Sequence, residues 1–169
     1  MHVKFASNLA TVFAAVLLLA ACTSKPESAA DTSGTGQASG TQTAAVASAA
    51  APGSQEDLVV NVGDRVFFDY DRYELKPEAR AQLEKQAAWL RNFPQVTVTV
   101  EGHADERGTR EYNLALGERR ADSARNYLIA LGVDANRVRV ISYGKERPAM
   151  VGSDETAWAQ NRRAVTVVN

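Results

Sequence analysis

The sequence holds one cysteine, Cys22, and two histidines, His2 and His103, among its 169 residues. A single thiol cannot close a disulfide within the chain. His103 with Asp105 and Glu106 is the densest group of candidate metal ligands, but only one residue separates His103 from Asp105 and no second histidine lies nearby, so a zinc site is not expected. Charge of one sign is also missing. The formal net charge is −1, and from Asp57 onward 17 Lys and Arg balance 17 Asp and Glu, which argues against a nucleic-acid surface or an anionic-membrane surface. There is no G-x-S-x-G elbow, no phosphate loop and no usable catalytic cysteine, so the chain reads as a binding protein and not an enzyme. Finally, no apolar run reaches the roughly 20 residues of a comfortable membrane-spanning helix.

The longest such run, Leu9 to Ala21, follows a short polar start with Lys4 and ends in small residues, as the apolar region of a secretory signal does. It stops at Leu19-Ala20-Ala21-Cys22. Residues 23–56 are then rich in Ala, Ser, Thr and Gly, with two prolines and almost no large apolar side chain. Such a segment cannot bury enough surface to offset its ordering entropy and is expected to be a disordered linker. Its root-mean-square span as a coil is roughly 30 Å and its extended reach about 110–120 Å.

The stretch from Val96 to Ala121, VTVTVEGHADERGTREYNLALGERRA, organises the remainder. Val96, Val98 and Val100 alternate with Thr97, Thr99 and Glu101, the pattern of a strand with one buried face. A polar loop with Asp105 follows, and Asn113, Leu116 and Arg120 recur at i, i+3 and i+7, on one face of a helix. Strand end, loop and helix start can therefore bring an acid, an amide and a cation into one shallow pocket.

Around this centre, a strand is expected over Val59 to Asp69, in one or two pieces, with Val66 and Phe68 on one face and Phe67 on the other. Asp69 to Arg72 reads as a turn. Leu75, Ala79, Leu83, Ala87 and Leu90 mark an amphipathic helix from about Pro77 to before Pro94. In the next helix Gly117, Ala121, Ala124, Leu128 and Leu131 form the core stripe, and Gly132 ends it. Val138, Val140 and Ser142 alternate as a strand, Ser153-Asp154 is a candidate N-cap for a short helix carrying Trp158 and Gln160, and Val165 and Val167 alternate in a closing strand. The order β-α-β-α-β-α-β gives an α+β fold with helices on a mixed sheet.

GHADERG followed by NLALGERRA, together with FFDYDRYELKPEA, SYGKERPA and QNRRAV, resembles the OmpA-like peptidoglycan-binding domain family over about Val60 to Asn169. The resemblance implies a βαβαββ architecture with the helices on one face, and residues 57–169 as the wall-binding domain. It implies that Asp105 meets the ammonium and Arg120 the carboxylate of meso-diaminopimelate in the wall peptide, chemistry that suits an acceptor-only carboxylate and a planar guanidinium fork. The alternative for that pair is a mutual surface salt bridge. Asn113 and Leu116 match the family positions for a polar contact and an apolar wall, Leu116 being equally readable as core. Tyr70 and Asp71 match an aromatic-acidic position, where Asp71 could instead cap the following helix. Gly102, Ala104 and Gly117, and Arg162 and Arg163 of the closing motif, are weaker candidates, an arginine before a strand being more often solvated or paired.

Residues 1–21 resemble a lipoprotein signal, so Cys22 is expected to carry an S-diacylglyceryl group and an N-palmitoyl chain; the alternatives are a conventional signal cut or a core cysteine. At about 0.8 kcal/mol per buried methylene, several chains would anchor the protein durably. Thr23, where Asp would resemble an inner-membrane retention signal, favours the outer membrane. By resemblance the partners are peptidoglycan, TolB and the other Tol-Pal components, with no cofactor and no nucleic acid. The rivals are a wall-binding lipoprotein outside that system, and a wall hydrolase using Asp105, His103 and Glu106.

Overall fold

The computed structural model describes residues 50–169; the expected signal, Cys22 and the linker through residue 49 lie outside the described residues. Residues 54–56, expected to belong to the linker, are instead part of the domain: Ser54 accepts from Asp57 N at 3.1 Å, which caps the short α1, Gln55–Asp57. A π-helical turn, Leu58–Val62, follows directly. The strand expected from Val59 is thus only β1, Arg65–Phe67. The reason is local competition: the cap sets a helical start, and Asp57 accepts from Gly53 N at 2.8 Å, Asn61 Nδ2 at 2.7 Å and Trp89 Nε1 at 2.9 Å. Gln82 Nε2 then holds Val62 O at 2.7 Å and Gly63 O at 2.8 Å, so the β-branched run is spent on a turn. Leu58 is fully buried while Val60 is 70% exposed.

The other expected elements form where the periodicity places them. They are α2, Pro77–Asn92; β2, Val98–His103; α3, Arg110–Ala130; β3, Val138–Gly144; α4, Glu155–Asn161; and β4, Arg163–Val168. Thr109 caps α3 and Asp154 caps α4 through their side-chain oxygens, and Gly132, at φ 93°, ends α3 in the left-handed conformation. The sheet order is β1-β4-β2-β3; β2 and β3 are parallel and the other pairs antiparallel. Val98, Val100, Ala164 and Thr166 lie buried beneath α2 and α3, with Leu83, Ala87, Leu90, Ala121, Ala124 and Leu128 opposite them. Val66 and Phe68 are buried and Phe67 half-exposed, as their alternation requires.

Two features position the site. A Cβ on Gly102 would sit 1.8 Å from Gly117 O, so α3 lies against β2 at a distance only glycine allows, and its first turns cover the end of β2. The second feature is polarity along the strands. The chain enters beside Phe93 and the far end of β4, where Gln55 accepts from Val168 N at 2.7 Å and donates to Thr166 O at 3.4 Å. The opposite end collects the end of β1, the loop after β2, the start of α3 and the start of β4.

Candidate binding site

At that opposite end a cavity of about 170 Å³ is lined by Tyr70, Asp71, Asp105, Arg107, Gly108, Tyr112, Asn113, Leu116 and Arg120. All six leading candidates from the sequence are therefore brought together. Arg120 is 0% exposed, and its guanidinium donates from Nε to Arg72 O at 2.8 Å, from Nη1 to His103 O at 2.8 Å and from Nη2 to Asp69 O at 3.1 Å. Of the five N–H groups of an arginine, two are left for the cavity. Burial pushes its pKa down to about 10, with Asp105 acting in the opposite sense, so it stays a cation at neutral pH.

Asp105 is 5% exposed and does not pair with Arg120. Its Oδ1 accepts from Arg107 N at 3.1 Å and Arg107 Nε at 3.2 Å; its Oδ2 accepts from Arg107 Nη2 at 2.5 Å and Arg162 Nη1 at 3.5 Å. Burial acts to raise this carboxyl, but the hydrogen bonds from Arg107 outweigh it and hold the group below the usual carboxylate range. Asn113 donates to Arg107 O at 2.8 Å, fixing the loop that carries both charges. Leu116 is both buried and a cavity wall. Asp71, at φ 54°, accepts from the Tyr112 hydroxyl and does not cap α2, whose N-cap is Lys76.

The weaker candidates divide. Arg162 does not line the cavity but supports its wall, donating to Phe68 O at 3.1 Å, Glu155 Oε1 at 2.5 Å and Asp105 Oδ2 at 3.5 Å. Arg163 does not line the cavity and donates to Arg147 O at 3.2 Å. Gly102 and Gly117 serve the close approach of helix and sheet, and Ala104 is buried with its N–H on Gly144 O at 2.8 Å. Asn161 pins the 149–150 backbone, accepting from Ala149 N at 2.7 Å and Met150 N at 3.0 Å. His103 does not line the cavity, and Glu106 accepts from Trp158 Nε1 at 3.0 Å, so the three groups of the hydrolase reading are not assembled.

Sequence reasoning missed Arg107, Gly108 and Tyr112. Arg107 carried a signal: a residue two after an Asp in a polar loop is where an Asx turn returns its N–H. Tyr112, next to Asn113 on an exposed turn, carried none.

The OmpA family model matches residues 67–162. The chain belongs to the OmpA family. Within it, a Rhizobium meliloti (strain 1021) protein named peptidoglycan-associated lipoprotein is 54% identical over 152 residues, covering 90% of this chain and 82% of the relative. A protein of the same name from Brucella melitensis biotype 1 is 59% identical over 123 residues, 73% of each chain. The crystal structure of the peptidoglycan-associated lipoprotein from Burkholderia pseudomallei is 44% identical, with TM-score 0.61 over 63% of this chain and 90% of that one. This family member thus shares its fold with a solved relative of that name, and its cavity lies within the matched residues.

Proposed function

We propose that this protein tethers the outer membrane to the cell wall: lipid chains on Cys22 anchor it, residues 23 to about 50 span the gap, and the cavity grips the diaminopimelate-containing stem peptide of peptidoglycan without catalysis. The observation that carries this reading is the buried Arg120 guanidinium, with two donors to spare beside the buried Asp105, at the end of the domain opposite the chain's entry. A fixed cation and a carboxylate lining one cavity suit a zwitterionic centre, and the names of the relatives agree with a wall ligand. Asp105, Arg120, Asn113, Leu116, Tyr70 and Asp71 are the contacts. Among the described residues no helix is long and apolar enough to cross a membrane. The system in which the tether works is Tol-Pal, with TolB as partner, helping the outer membrane follow constriction at division.

Cys22→Ser is expected to move the protein from the membrane pellet to the soluble fraction after lysozyme digestion of the wall, while purified variant still sediments with isolated sacculi. Retention in the membrane pellet would refute the lipid anchor. A folded variant that leaves sacculi untouched would refute the wall site, and a TolB pulldown tests the system assignment separately.

A further inference from the structure

Asp105 has no acceptor site left for a ligand. A carboxylate offers about four lone-pair directions, and here all are used: three by Arg107 and one by Arg162. Its two cationic partners are held differently. The Arg162 side chain is 7% exposed and braced on Phe68 O and Glu155, whereas the Arg107 side chain is 29% exposed and braced mainly by rings. The Arg107 guanidinium lies 4.0 Å from the ring centre of Tyr70 and 4.0 Å from that of Trp158, a cation between two aromatic faces at the mouth of the cavity. No carbonyl fixes its head group, in contrast to Arg120 with its three.

The geometry points to Arg107 as an internal competitor: its guanidinium occupies the cation site on Asp105 and is displaced when a ligand ammonium binds there. This rests on the reading of the cavity as a site for a zwitterionic peptide. Displacement needs no backbone movement, because the Arg107 N–H bond to Asp105 Oδ1 is independent of the side chain. It takes the guanidinium off Trp158, whose indole N–H on Glu106 keeps the ring in place as a reporter. The consequence is selectivity. A neutral group cannot replace Arg107 on a buried carboxylate, so ligands lacking a cation leave the stack closed.

The test uses two synthetic probes, the tripeptide L-Ala-γ-D-Glu-meso-diaminopimelate and the same peptide acetylated on its free side-chain amine. Titrating wild type with the free-amine peptide should change Trp158 emission and its quenching by acrylamide, with Trp89, buried against Asp57, giving a constant background. The acetylated peptide should not. Arg107→Gln should bind the free-amine peptide about tenfold more tightly, the scale that two aromatic contacts to a partly exposed cation carry, and gain nothing for the acetylated one. Arg107→Lys should stay near wild type. Weaker binding of both peptides by Arg107→Gln would make Arg107 a direct ligand contact and overturn displacement. So would wild type binding the free-amine peptide with Trp158 unchanged, a result that holds whether or not the variant folds. If wild type binds neither peptide, the reading of the cavity itself falls.

Discussion

Wild-type protein is expected to bind a wall peptide carrying diaminopimelate about thirtyfold more tightly than the same peptide carrying lysine. Lysine lacks the carboxylate, so the two free N–H groups of Arg120 lose their partner inside a buried site, and the low end of about 2–5 kcal/mol for breaking a charged pair gives that factor. Arg120→Ala is a poor test of this. Removing the guanidinium strands the carbonyls of Asp69, Arg72 and His103, and at about 1–3 kcal/mol for each orphaned group, with only the His103 bond fully buried, the fold itself is expected to lose at least about 3 kcal/mol. Arg120→Lys keeps the charge but loses the planar fork, so it should remain folded and discriminate less than about fivefold. Calorimetric titration of both peptides against both proteins checks it. A folded Arg120→Lys that keeps the full thirtyfold preference would remove the carboxylate from Arg120.

The second large effect is on stability against acid. His103 is 2% exposed, neither ring nitrogen has a hydrogen-bond partner, and its nearest carboxylate, Glu101 Oε2, is 3.8 Å away. Burial first, and then the charges of Arg163 and Arg147, push its pKa down to about 4. A histidine in the unfolded chain takes its proton near pH 6.5, so below that value the unfolded state binds more protons and stability falls until the native pKa is reached. The expected loss is about 3 kcal/mol between pH 6.5 and 4, at about 1.4 kcal/mol per unit. Urea unfolding across that range should show it, and His103→Leu should flatten it. Asp57, Asp105 and Glu106, all held below the usual carboxylate range, begin to give up their contribution only below about pH 5, so the upper part of this window belongs to His103. An unchanged slope in His103→Leu would assign the acid sensitivity elsewhere.

Much of the fold was legible because its elements carry a single pattern. The α2 stripe of Ala79 to Leu90, the α3 stripe of Gly117 to Leu128 and the alternation in β2 each bury one face, and nothing local opposes them; in β4 the alternation of Val165 and Val167 marks the strand, but it is Ala164 and Thr166 that face the core. Residues 59–62 were misread because Val propensity was weighed without Ser54 and Asp57, whose cap and hydrogen bonds prevail over it. At the site, Asn113, Leu116 and Arg120 were readable from spacing alone, since one helical face fixes all three. Who holds whom was not readable. Asp105 turns to Arg107 and not to Arg120 because the loop brings its own arginine back, whereas Arg120 is committed to carbonyls from strand and turn segments 17 to 51 residues away. Spacing along one helix carries no information about those distant acceptors.

The chain's entry beside Gln55 and the cavity around Arg120 lie at opposite ends of β4 and β2, and this fixes how the domain takes a load. A pull applied at Ala50 and resisted at the cavity runs lengthwise along those two strands. The ladder bonds from Val98–Val168 to Gly102–Ala164 then lie across the force and are strained together in shear, not opened one after another. Traction between the chain's C-terminal Asn169 and Ala50 would act at one end only and peel Gln55 from β4 bond by bond. The same hydrogen bonds thus make a strong fastening in one direction and a weak one in the other, and the strong direction is the one that joins the entry to the pocket.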